Sequence, residues 1–402
     1  MLDSQVQPVD EQAVRTANLP HAPTLSTQVP GSQSLECVER GILKHPLNGI
    51  CPYYTMFPIE FPLVHLLGCE PGSWVLDPFC GRGTTLLAAR MLGLNSLGID
   101  ANPVAVAISR AKLVQPKPGA LVTLAQHILL KAEPDPRPAG EFWDWAFDPA
   151  TLQQILKLRA GLRRQHGATA NALRGIVLGA LHGPVPKTKH SYFSNQMQRT
   201  FAPKPNYAVR YWRAREMQPP AVDVLSVISE KAERYFGAGV RDTQASVRFG
   251  DARAMRFTAG KIARTVTSPP YFGMDSYVPD QWLRNWFVGG TPFPTYRHPD
   301  QISFGMVETF AAELAKVWRR VAQVSKLGAE LVIRFGALAS RPCNPSALLL
   351  RSLAYEGSKW RVISVNPAGD ASVGRRQTAQ MGDKLKSSSA IDEIDVICRL
   401  DN

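Results

Sequence analysis

One segment of this 402-residue chain, DPFCGRGTT at residues 77 to 85, constrains the fold more than any other. The apolar stretch Trp74 to Leu76 before it predicts a buried strand, and Thr84 to Leu92 predicts a helix after it. Gly81 and Gly83 suit the tight turn that must join the two elements. A glycine-rich turn between a strand and a helix lets a ligand approach the backbone where helix N–H groups point outward. The segment therefore predicts an α/β sheet with a binding site at this turn.

A second strand and a second helix follow directly. Ser96 to Ile99 is apolar enough for a buried strand, and Pro103 suits the first turn of a helix. Asp77 ends the first strand and Asp100 ends the second, where an acidic side chain can bind a ribose diol. Thr84 stands where a phosphate-binding loop would have a lysine. The pattern therefore favours a nucleoside with a cationic tail over a nucleoside triphosphate.

A further motif, TSPPY at residues 267 to 271, follows the short apolar stretch Ile262 to Val266. Proline lacks an N–H and fixes φ, so Pro269 and Pro270 hold the backbone extended and leave their carbonyl groups free to accept hydrogen bonds. On this peptide alone, an ordinary turn at the end of a strand is a serious alternative. Two motifs in one chain are far more specific than either alone.

Together, DPFCGRGTT and TSPPY resemble the motifs of S-adenosylmethionine-dependent methyltransferases that modify exocyclic amino groups of DNA bases. In outline the resemblance covers most of residues 45 to 400. It implies an α/β, Rossmann-like class I methyltransferase fold, with a mostly parallel seven-stranded sheet, helices on both faces and an antiparallel strand near the C-terminus. In that family the SPPY form is associated chiefly with cytosine N4 methylation, whereas DPPY and NPPY forms go with adenine N6. The resemblance therefore favours cytosine N4 as the target.

The resemblance also implies which residues bind the cofactor, S-adenosylmethionine. Asp77 and the glycine turn would hold its amino acid end, Asp100 its ribose hydroxyls, and Asp251, after a further strand, its adenine amino group. Phe57 matches an aromatic segment that contacts the methionine part. Phe57 could instead pack in the core, and Asp100 and Asp251 could instead cap helices. The full set implied is Phe57, Asp77, Pro78, Phe79, Gly81, Gly83, Thr84, Thr85, Asp100 and Asp251.

The catalytic residues implied by the resemblance are Ser268, Pro269, Pro270 and Tyr271. An exocyclic amine is a poor nucleophile because its lone pair is delocalised into the ring. The Ser268 oxygen and the Pro269 carbonyl would accept both N–H bonds and favour the nucleophilic form of the amine. Tyr271 would stack on a base rotated out of the helix.

The positive charge of the chain is concentrated in one segment. The net charge is +13 at a pI near 9.6, and residues 151 to 220 hold twelve Lys and Arg side chains against a single acid, Glu216. Interleaved aromatic side chains make a mixture that suits phosphate contacts and base stacking. An ordinary solvated surface is the alternative. The candidate nucleic-acid contacts are Lys187, Lys189, Arg199, Lys204, Arg210 and Arg213.

These patterns divide the chain into four parts. They are a disordered or loosely attached tail at 1–35, the cofactor-binding first part of the methyltransferase domain at 36–115, a basic and aromatic insertion for target recognition at 116–240, and the catalytic second part at 241–402. Within the insertion, residues 152–163 and 170–181 have helical character, and 191–212 is predicted to be a loop. After TSPPY, residues 275–296 are predicted to be rich in loops, with Trp282 and Trp286 lining the base pocket or covering the core.

Cysteine usage and hydropathy limit the cellular setting. Six cysteines are scattered without a C-x-x-C pair, so we expect neither a disulfide framework nor a metal site. No stretch approaches the roughly 18 apolar residues of a membrane helix, and the N-terminus lacks the basic start and apolar run of a signal peptide. We therefore expect a cytoplasmic protein with no membrane partner.

A rival methylation chemistry attacks cytosine at carbon and needs a cysteine nucleophile, usually in a Pro-Cys dipeptide. Pro342 and Cys343 form such a dipeptide, but they lie in a polar loop without the surrounding pattern of those enzymes. We interpret Cys343 as incidental and Ser268 as the functional residue.

Three hypotheses remain open from the sequence. The first is a DNA amino-methyltransferase acting on double-stranded DNA, with cytosine N4 favoured over adenine N6, alone or with a cognate restriction or defence nuclease as partner. The second is an RNA base methyltransferase, because the base chemistry is almost the same. The third is a nucleic-acid-binding protein with an inactive methylase core. Arg82 departs from the smaller residue that the family more often has, which bears on the third hypothesis.

Overall fold

The computed structural model describes residues 45–53, 57–186, 190–258, 260–274, 277–296, 302, 305–338, 343–369 and 390–401. The predicted tail at 1–35, two of the candidate nucleic-acid contacts, Lys187 and Lys189, and Pro342 lie outside these residues. Lys44–Asn402 form one compact unit.

A seven-stranded sheet runs through this unit. Its strands are β1 (Trp74–Asp77), β2 (Asn95–Asp100), β3 (Ala245–Phe249), β4 (Ile262–Thr267), β5 (Ser325–Leu338), β6 (Trp360–Gly369) and β7 (Ala390–Leu400), in the spatial order β3-β2-β1-β4-β5-β7-β6. The pairs from β3 to β5 are all parallel, whereas β7 is antiparallel to both β5 and β6. The predicted sheet, with its antiparallel strand near the C-terminus, is confirmed.

The strand order reverses between β1 and β4. From β1 the chain moves outward through β2 to β3, and it then returns to β4 on the other side of β1. Ligands of such open sheets bind in the crevice outside the carboxyl ends of the strands at this reversal. Since crossover connections are right-handed, the reversal also sends the helices after β4 to the opposite face from those after β1.

Thirteen α-helices are seen in the described part of the chain. They are α1 (Glu60–Leu66), α2 (Thr84–Met91), α3 (Pro103–Lys112), α4 (Pro118–Lys131), α5 (Phe142–Ala146), α6 (Pro149–Arg163), α7 (Ala168–Ala180), α8 (Pro205–Arg213), α9 (Val224–Phe236), α10 (Tyr277–Asp280), α11 (Trp282–Phe287), α12 (Val307–Val324) and α13 (Pro345–Leu353). Among these, none is both long and apolar enough to cross a bilayer.

The insertion between β2 and β3 is mainly helical, and the sequence prediction of a loop at 191–212 is wrong over its last part. Helix α8 begins there with Pro205 at its first turn and buries Ala208, Val209 and Trp212 on one side. Arg210 and Arg213 alternate with these residues and obscure the apolar stripe in the sequence. The stretch 275–296, predicted to be rich in loops, contains the two short helices α10 and α11, followed by irregular structure over 290–296.

A cluster of aromatic side chains joins the insertion to the segment after TSPPY. Trp143 of α5 lies 4.5 Å from Trp286 of α11 between ring centroids, and Phe142 lies 4.8 Å from Trp282 and 5.8 Å from Trp212. Trp282 and Trp286 are both almost completely buried. Of the two roles left open for these tryptophans, they take the packing role.

Replacement of Trp143 tests how much this cluster stabilises the fold. Trp143→Ala removes a side chain that is only 1% exposed, so we expect the free energy of unfolding to fall by about 3–5 kcal/mol. Urea unfolding followed by circular dichroism measures the change. Phe293→Ala, at a side chain that is 56% exposed, is the control, and we expect it to stay within about 0.5 kcal/mol of the wild type. Equal losses in the two variants would contradict a stabilising role for the cluster.

Candidate active site at the carboxyl edge of the sheet

Asp77 ends β1 and is completely buried. Its Oδ1 accepts hydrogen bonds from the Thr267 hydroxyl at 2.6 Å and from the Phe79 N–H at 3.1 Å. Its Oδ2 has no hydrogen-bond partner among the residues that the structure describes. Burial raises the pKa of Asp77 to about 6, although the hydrogen bonds partly offset this effect. One oxygen is therefore held in place while the other still needs a donor.

The glycine turn after Asp77 requires glycine at two positions. Gly81 and Gly83 both have left-handed backbone conformations, with φ of +48° and +74°. A Cβ at Gly83 would lie 2.7 Å from the Ser109 hydroxyl, which itself donates to the Gly81 carbonyl at 2.8 Å. Because Gly83 is the N-cap of α2, the turn leads the chain directly into the first N–H groups of that helix. Ser109 thus packs against the turn at Gly83, whereas only the Phe79 carbonyl oxygen, at 4.0 Å, lies near the Cβ position of Gly81.

Asp100 holds this turn against β2. Its carboxylate accepts from the Gly81 N–H and from the Asn102 N–H, each at 2.8 Å. Burial raises the pKa of Asp100 to about 6 despite these two bonds. The N-cap of α3 is Asn102, so the alternative role of Asp100 as a helix cap is wrong. Each carboxylate oxygen can accept a second hydrogen bond, which leaves Asp100 able to accept from a hydroxyl pair.

Asp251 follows β3 and has a structural role. It caps the short 3₁₀ helix Ala252–Ala254 by accepting a hydrogen bond from the Arg253 N–H at 2.8 Å. The alternative expectation, that Asp251 caps a helix, is therefore confirmed. Its carboxylate also pairs with the Arg253 guanidinium at 2.7 Å, and the same guanidinium pairs with Glu313. An adenine contact at Asp251 stays a prediction.

The TSPPY segment lies beside these acids. Thr267 joins it to Asp77, and the hydroxyl of Thr85 in α2 donates to the Val266 carbonyl at 3.2 Å. Ser268 and Pro270 are partly exposed, whereas Pro269 is buried. The structure thus brings the two sequence motifs together at the carboxyl edge, where the strand order reverses.

Tyr271 is only 7% exposed, so most of its ring lies inside the core. Its ring packs edge-on against Phe335 at a centroid distance of 5.5 Å, and its hydroxyl donates to Glu393 Oε1 at 2.5 Å. Sequence analysis did not identify Glu393, because it lies 122 positions further along the chain and belongs to no motif.

Arg82, which stands in the turn where a smaller residue is more common in the resembled family, packs inside the protein. Its side chain is buried and donates to Asn48 Oδ1 at 2.9 Å, in the 3₁₀ helix Pro46–Gly49. Burial lowers the pKa of Arg82 to about 10. The long side chain therefore anchors the segment that precedes α1. In the same region, Phe57 is partly exposed and lies edge-on to Phe61 at 5.2 Å.

The candidate nucleic-acid contacts differ in their exposure and in the contacts that they make with other side chains. Arg210 projects from the exposed side of α8, one turn after Tyr207, which is 59% exposed. Lys204 is exposed and lies over the ring of Tyr296 at 5.2 Å. Arg213 is exposed but pairs with Glu141 at 3.0 Å.

Arg199, the remaining described candidate, is exposed. Its guanidinium carbon lies 5.9 Å from the centroid of the Tyr192 ring. Its backbone carbonyl accepts from the buried Arg284 at 2.6 Å. Of the candidates that the structure describes, Arg199, Lys204 and Arg210 are exposed without an ion pair to a described residue, and they are therefore the most available to a ligand. Within the same described residues, no group of three His, Cys, Asp or Glu side chains could hold a metal ion.

The raised pKa of Asp77 predicts a pH-dependent stability difference. A carboxyl group whose pKa is higher in the folded chain than in the unfolded chain costs stability once it ionises. Asp77→Asn keeps an oxygen for Thr267 but cannot ionise. At pH 7 we therefore expect the variant to be more stable than the wild type, by up to about 3 kcal/mol for a shift of roughly two pKa units.

The difference in free energy of unfolding between Asp77→Asn and the wild type should shrink as the pH falls from about 6 to about 4. Below that range it should vanish, because Asp77 is then protonated in both the folded and the unfolded chain. Urea unfolding between pH 4 and pH 7 measures this difference. Asp401→Asn, at a partly exposed carboxylate at the far end of β7, is the control. A variant that is no more stable than the wild type at pH 7 would contradict the argument.

Comparison with known proteins gives short but specific matches. Residues 39–111 match the N6/N4 methyltransferase family model, described as DNA methylase. The type II methyltransferase M.BsoBI of Geobacillus stearothermophilus is 52% identical over 42 residues, which are 10% of this chain and 8% of that protein. The type II methyltransferase M.MjaII of Methanocaldococcus jannaschii is 37% identical over 78 residues, 19% of this chain and 14% of that protein. The chain thus aligns with only a small part of each relative.

Among solved structures, the chain is similar to geranyl diphosphate C-methyltransferase from Streptomyces coelicolor A3(2), with 10% identity and a TM-score of 0.36 over 85% of this chain and 78% of that one. The fold description rests on the order and direction of the strands themselves. The family match includes the glycine turn, Asp77 and Asp100. Over residues 39–111 the chain carries the signature of the N6/N4 DNA methylases, and the family resemblance predicted from the sequence is confirmed there.

Proposed function

We propose that this protein is an S-adenosylmethionine-dependent DNA methyltransferase that modifies an exocyclic amino group, with cytosine N4 as the favoured target. The main observation that supports the proposal is the hydrogen bond that the Thr267 hydroxyl donates to Asp77, 2.6 Å long. This bond joins the cofactor motif to the start of the SPPY segment at the edge where open α/β sheets bind their ligands. The family match over residues 39–111 supports the same activity.

The residues around the glycine turn fit S-adenosylmethionine. The buried Asp77 Oδ2 lacks a described donor, and an α-ammonium group would supply one. Gly81 leaves space where a Cβ would lie, which suits close approach of a ligand to the backbone, and Asp100 retains acceptor capacity for a ribose diol. When bound, this cofactor supplies an electrophilic methyl group and its own leaving group.

The chain's own contribution to transfer is to make the amine nucleophilic. Ser268 is partly exposed, and its oxygen can accept one N–H of the base. The carbonyl of Pro269 can accept the other, and the two consecutive prolines restrict the direction in which that carbonyl points. Acceptors fixed before the reaction favour the form of the amine whose lone pair is available. No side-chain nucleophile is required.

Cytosine N4 is favoured over adenine N6 because the segment has the SPPY form. The relatives are named type II methyltransferases, which supports a role in modifying a defined DNA site alongside a cognate restriction or defence nuclease. The intact acids of the cofactor site, Asp77 and Asp100, argue against an inactive core. RNA as substrate remains the alternative that the assay itself resolves.

Transfer of labelled methyl groups tests this function directly. The protein is incubated with labelled S-adenosylmethionine and either unmethylated DNA or RNA, and the polymer is digested to nucleosides for mass spectrometry. We expect N4-methylcytosine in DNA and a loss of at least about 100-fold in Ser268→Ala, because one acceptor of the amine is removed. Ser226→Ala, in α9, is the matched control. Labelled N6-methyladenine would overturn the base assignment, and full activity in Ser268→Ala would overturn the catalytic role.

A second prediction concerns the exposed basic residues of the insertion. We expect Lys204→Ala and Arg210→Ala each to weaken DNA binding and to reduce the salt dependence of the affinity by about one phosphate contact. Arg213→Ala should have a smaller effect, because that guanidinium pairs with Glu141. Fluorescence anisotropy at several salt concentrations measures all three. Arg351→Ala, which removes an exposed arginine paired with Glu308, is the control. If the salt dependence of the affinity has the same slope in the wild type and the variants, these residues do not contact DNA phosphates.

A further inference from the structure

The catalytic segment Ser268–Pro270 depends on its flanking residues for its position. Proline has no N–H, so Pro269 and Pro270 donate no backbone hydrogen bond to the surrounding structure. Upstream, the Thr267 hydroxyl donates to Asp77 at 2.6 Å. Downstream, the Tyr271 hydroxyl donates to Glu393 at 2.5 Å. A carboxylate therefore holds each end of the segment.

Glu393 is itself held on a well-supported strand. In β7 it pairs with Gly336 of β5 and with Gly369 of β6, at the edge of the sheet where β4 also ends. Two positions further along, and thus on the same face, Asp395 accepts two hydrogen bonds from Arg334 at 2.8 and 2.7 Å. Burial alone would lower the pKa of Arg334, but its hydrogen bond with Asp395 and the charges of Asp395 and Glu393 outweigh this effect and raise it. The charge of Glu393 thus acts on a guanidinium that Asp395 holds in place.

The ring of Tyr271 has little freedom to leave this contact. It is 7% exposed and packs edge-on against Phe335, on the strand adjacent to β4. A hydrogen bond to a charged acceptor is roughly twice as strong as a neutral one. The contact with Glu393 therefore determines where the chain goes immediately after the two prolines.

We propose that Glu393 is a positioning residue for methyl transfer, acting through the Tyr271 hydroxyl to hold the Ser268 oxygen and the Pro269 carbonyl in line with the target amine. This inference rests on the proposed function, because the acceptors matter only if an amine is methylated there. Glu393 itself contacts neither the amine nor the methyl donor. Its effect should consequently appear in the transfer rate and not in cofactor affinity.

The test compares labelled-methyl transfer to DNA by Glu393→Ala, Tyr271→Phe, the double variant and Glu393→Gln. We expect Glu393→Ala and Tyr271→Phe each to lower kcat about tenfold, as the loss of one charge-assisted hydrogen bond would do, with the KM for S-adenosylmethionine unchanged. The double variant should be no worse than either single variant, because both remove the same contact. Glu393→Gln should recover most of the rate, since an amide oxygen still accepts from the hydroxyl. Asp401→Ala, which breaks the exposed pair with Arg361 at the other end of β7, should behave as wild type.

If the wild type is active and kcat is unchanged in Glu393→Ala, the positioning role is overturned and the proposed function stays intact. If the kcat losses of the two single variants multiply in the double variant, the positioning role is likewise overturned. A wild type that methylates neither DNA nor RNA overturns both proposals. An independent measurement places 3-fluorotyrosine at position 271, and its ¹⁹F resonance should move in Glu393→Ala but not in Asp401→Ala. An unmoved resonance overturns the contact itself.

Discussion

The buried carboxylate of Asp77 is the constraint on which the arrangement of this site depends. Burial of a charged group costs several kcal/mol unless hydrogen bonds compensate for the lost water. Thr267 and Phe79 provide compensation to Oδ1, while Oδ2 has none from the described residues. Carboxyl groups with a pKa shifted in this way are concentrated at functional sites. Ionisation of such a buried group lowers the stability of the fold, so stability alone would select against it. The same bond that Asp77 Oδ1 accepts also joins β1 to β4, so the segments DPFCGRGTT and TSPPY share one anchor.

A buried arginine connects the insertion to the segment that follows TSPPY. Arg284, which is completely buried, donates to the carbonyl groups of Leu178 in the insertion and Pro52 before α1, at 3.1 and 2.9 Å. It also donates to the Arg199 carbonyl at 2.6 Å and to the Gln281 side chain at 2.8 Å. Burial of a guanidinium is tolerated here because oxygen atoms from several segments surround it. The insertion is thereby held in a defined position relative to the segment that follows TSPPY.

The basic character of the insertion is partly neutralised in the fold. Arg159 and Arg163 both pair with Asp135, and Arg213 pairs with Glu141. These acids lie just upstream of the segment 151–220, so the charge of that segment alone overstates the positive surface. Among the candidate nucleic-acid contacts, Arg199, Lys204 and Arg210 are exposed and make no ion pair with a described residue, so these three, before and along α8, keep their charge available.

Several elements could be predicted because their determinants are close together in the chain. The strand, glycine turn, helix and second strand from Trp74 to Asp100 follow from apolar runs and from the two glycines, which tolerate positive φ. That Asp77 and TSPPY meet at one edge follows from parallel strands, whose carboxyl ends lie on the same side. Helix α8 was not predicted because its buried residues alternate with arginines, and only its packing against the rest of the insertion, such as Trp212 on Phe142, shows which side is apolar.

By itself, the sequence determined the type of sheet, the location of the glycine turn and the candidate acids, since these depend on local conformational preference and on strand ends. Only the tertiary structure decided that Thr267 bonds to Asp77, that Arg82 anchors Asn48, that Asp251 is occupied by Arg253, and that Glu393 holds Tyr271. Most of these contacts join residues far apart in the chain, and their formation depends on strand register and side-chain packing. No local pattern specifies which distant partner a buried hydroxyl or guanidinium will meet.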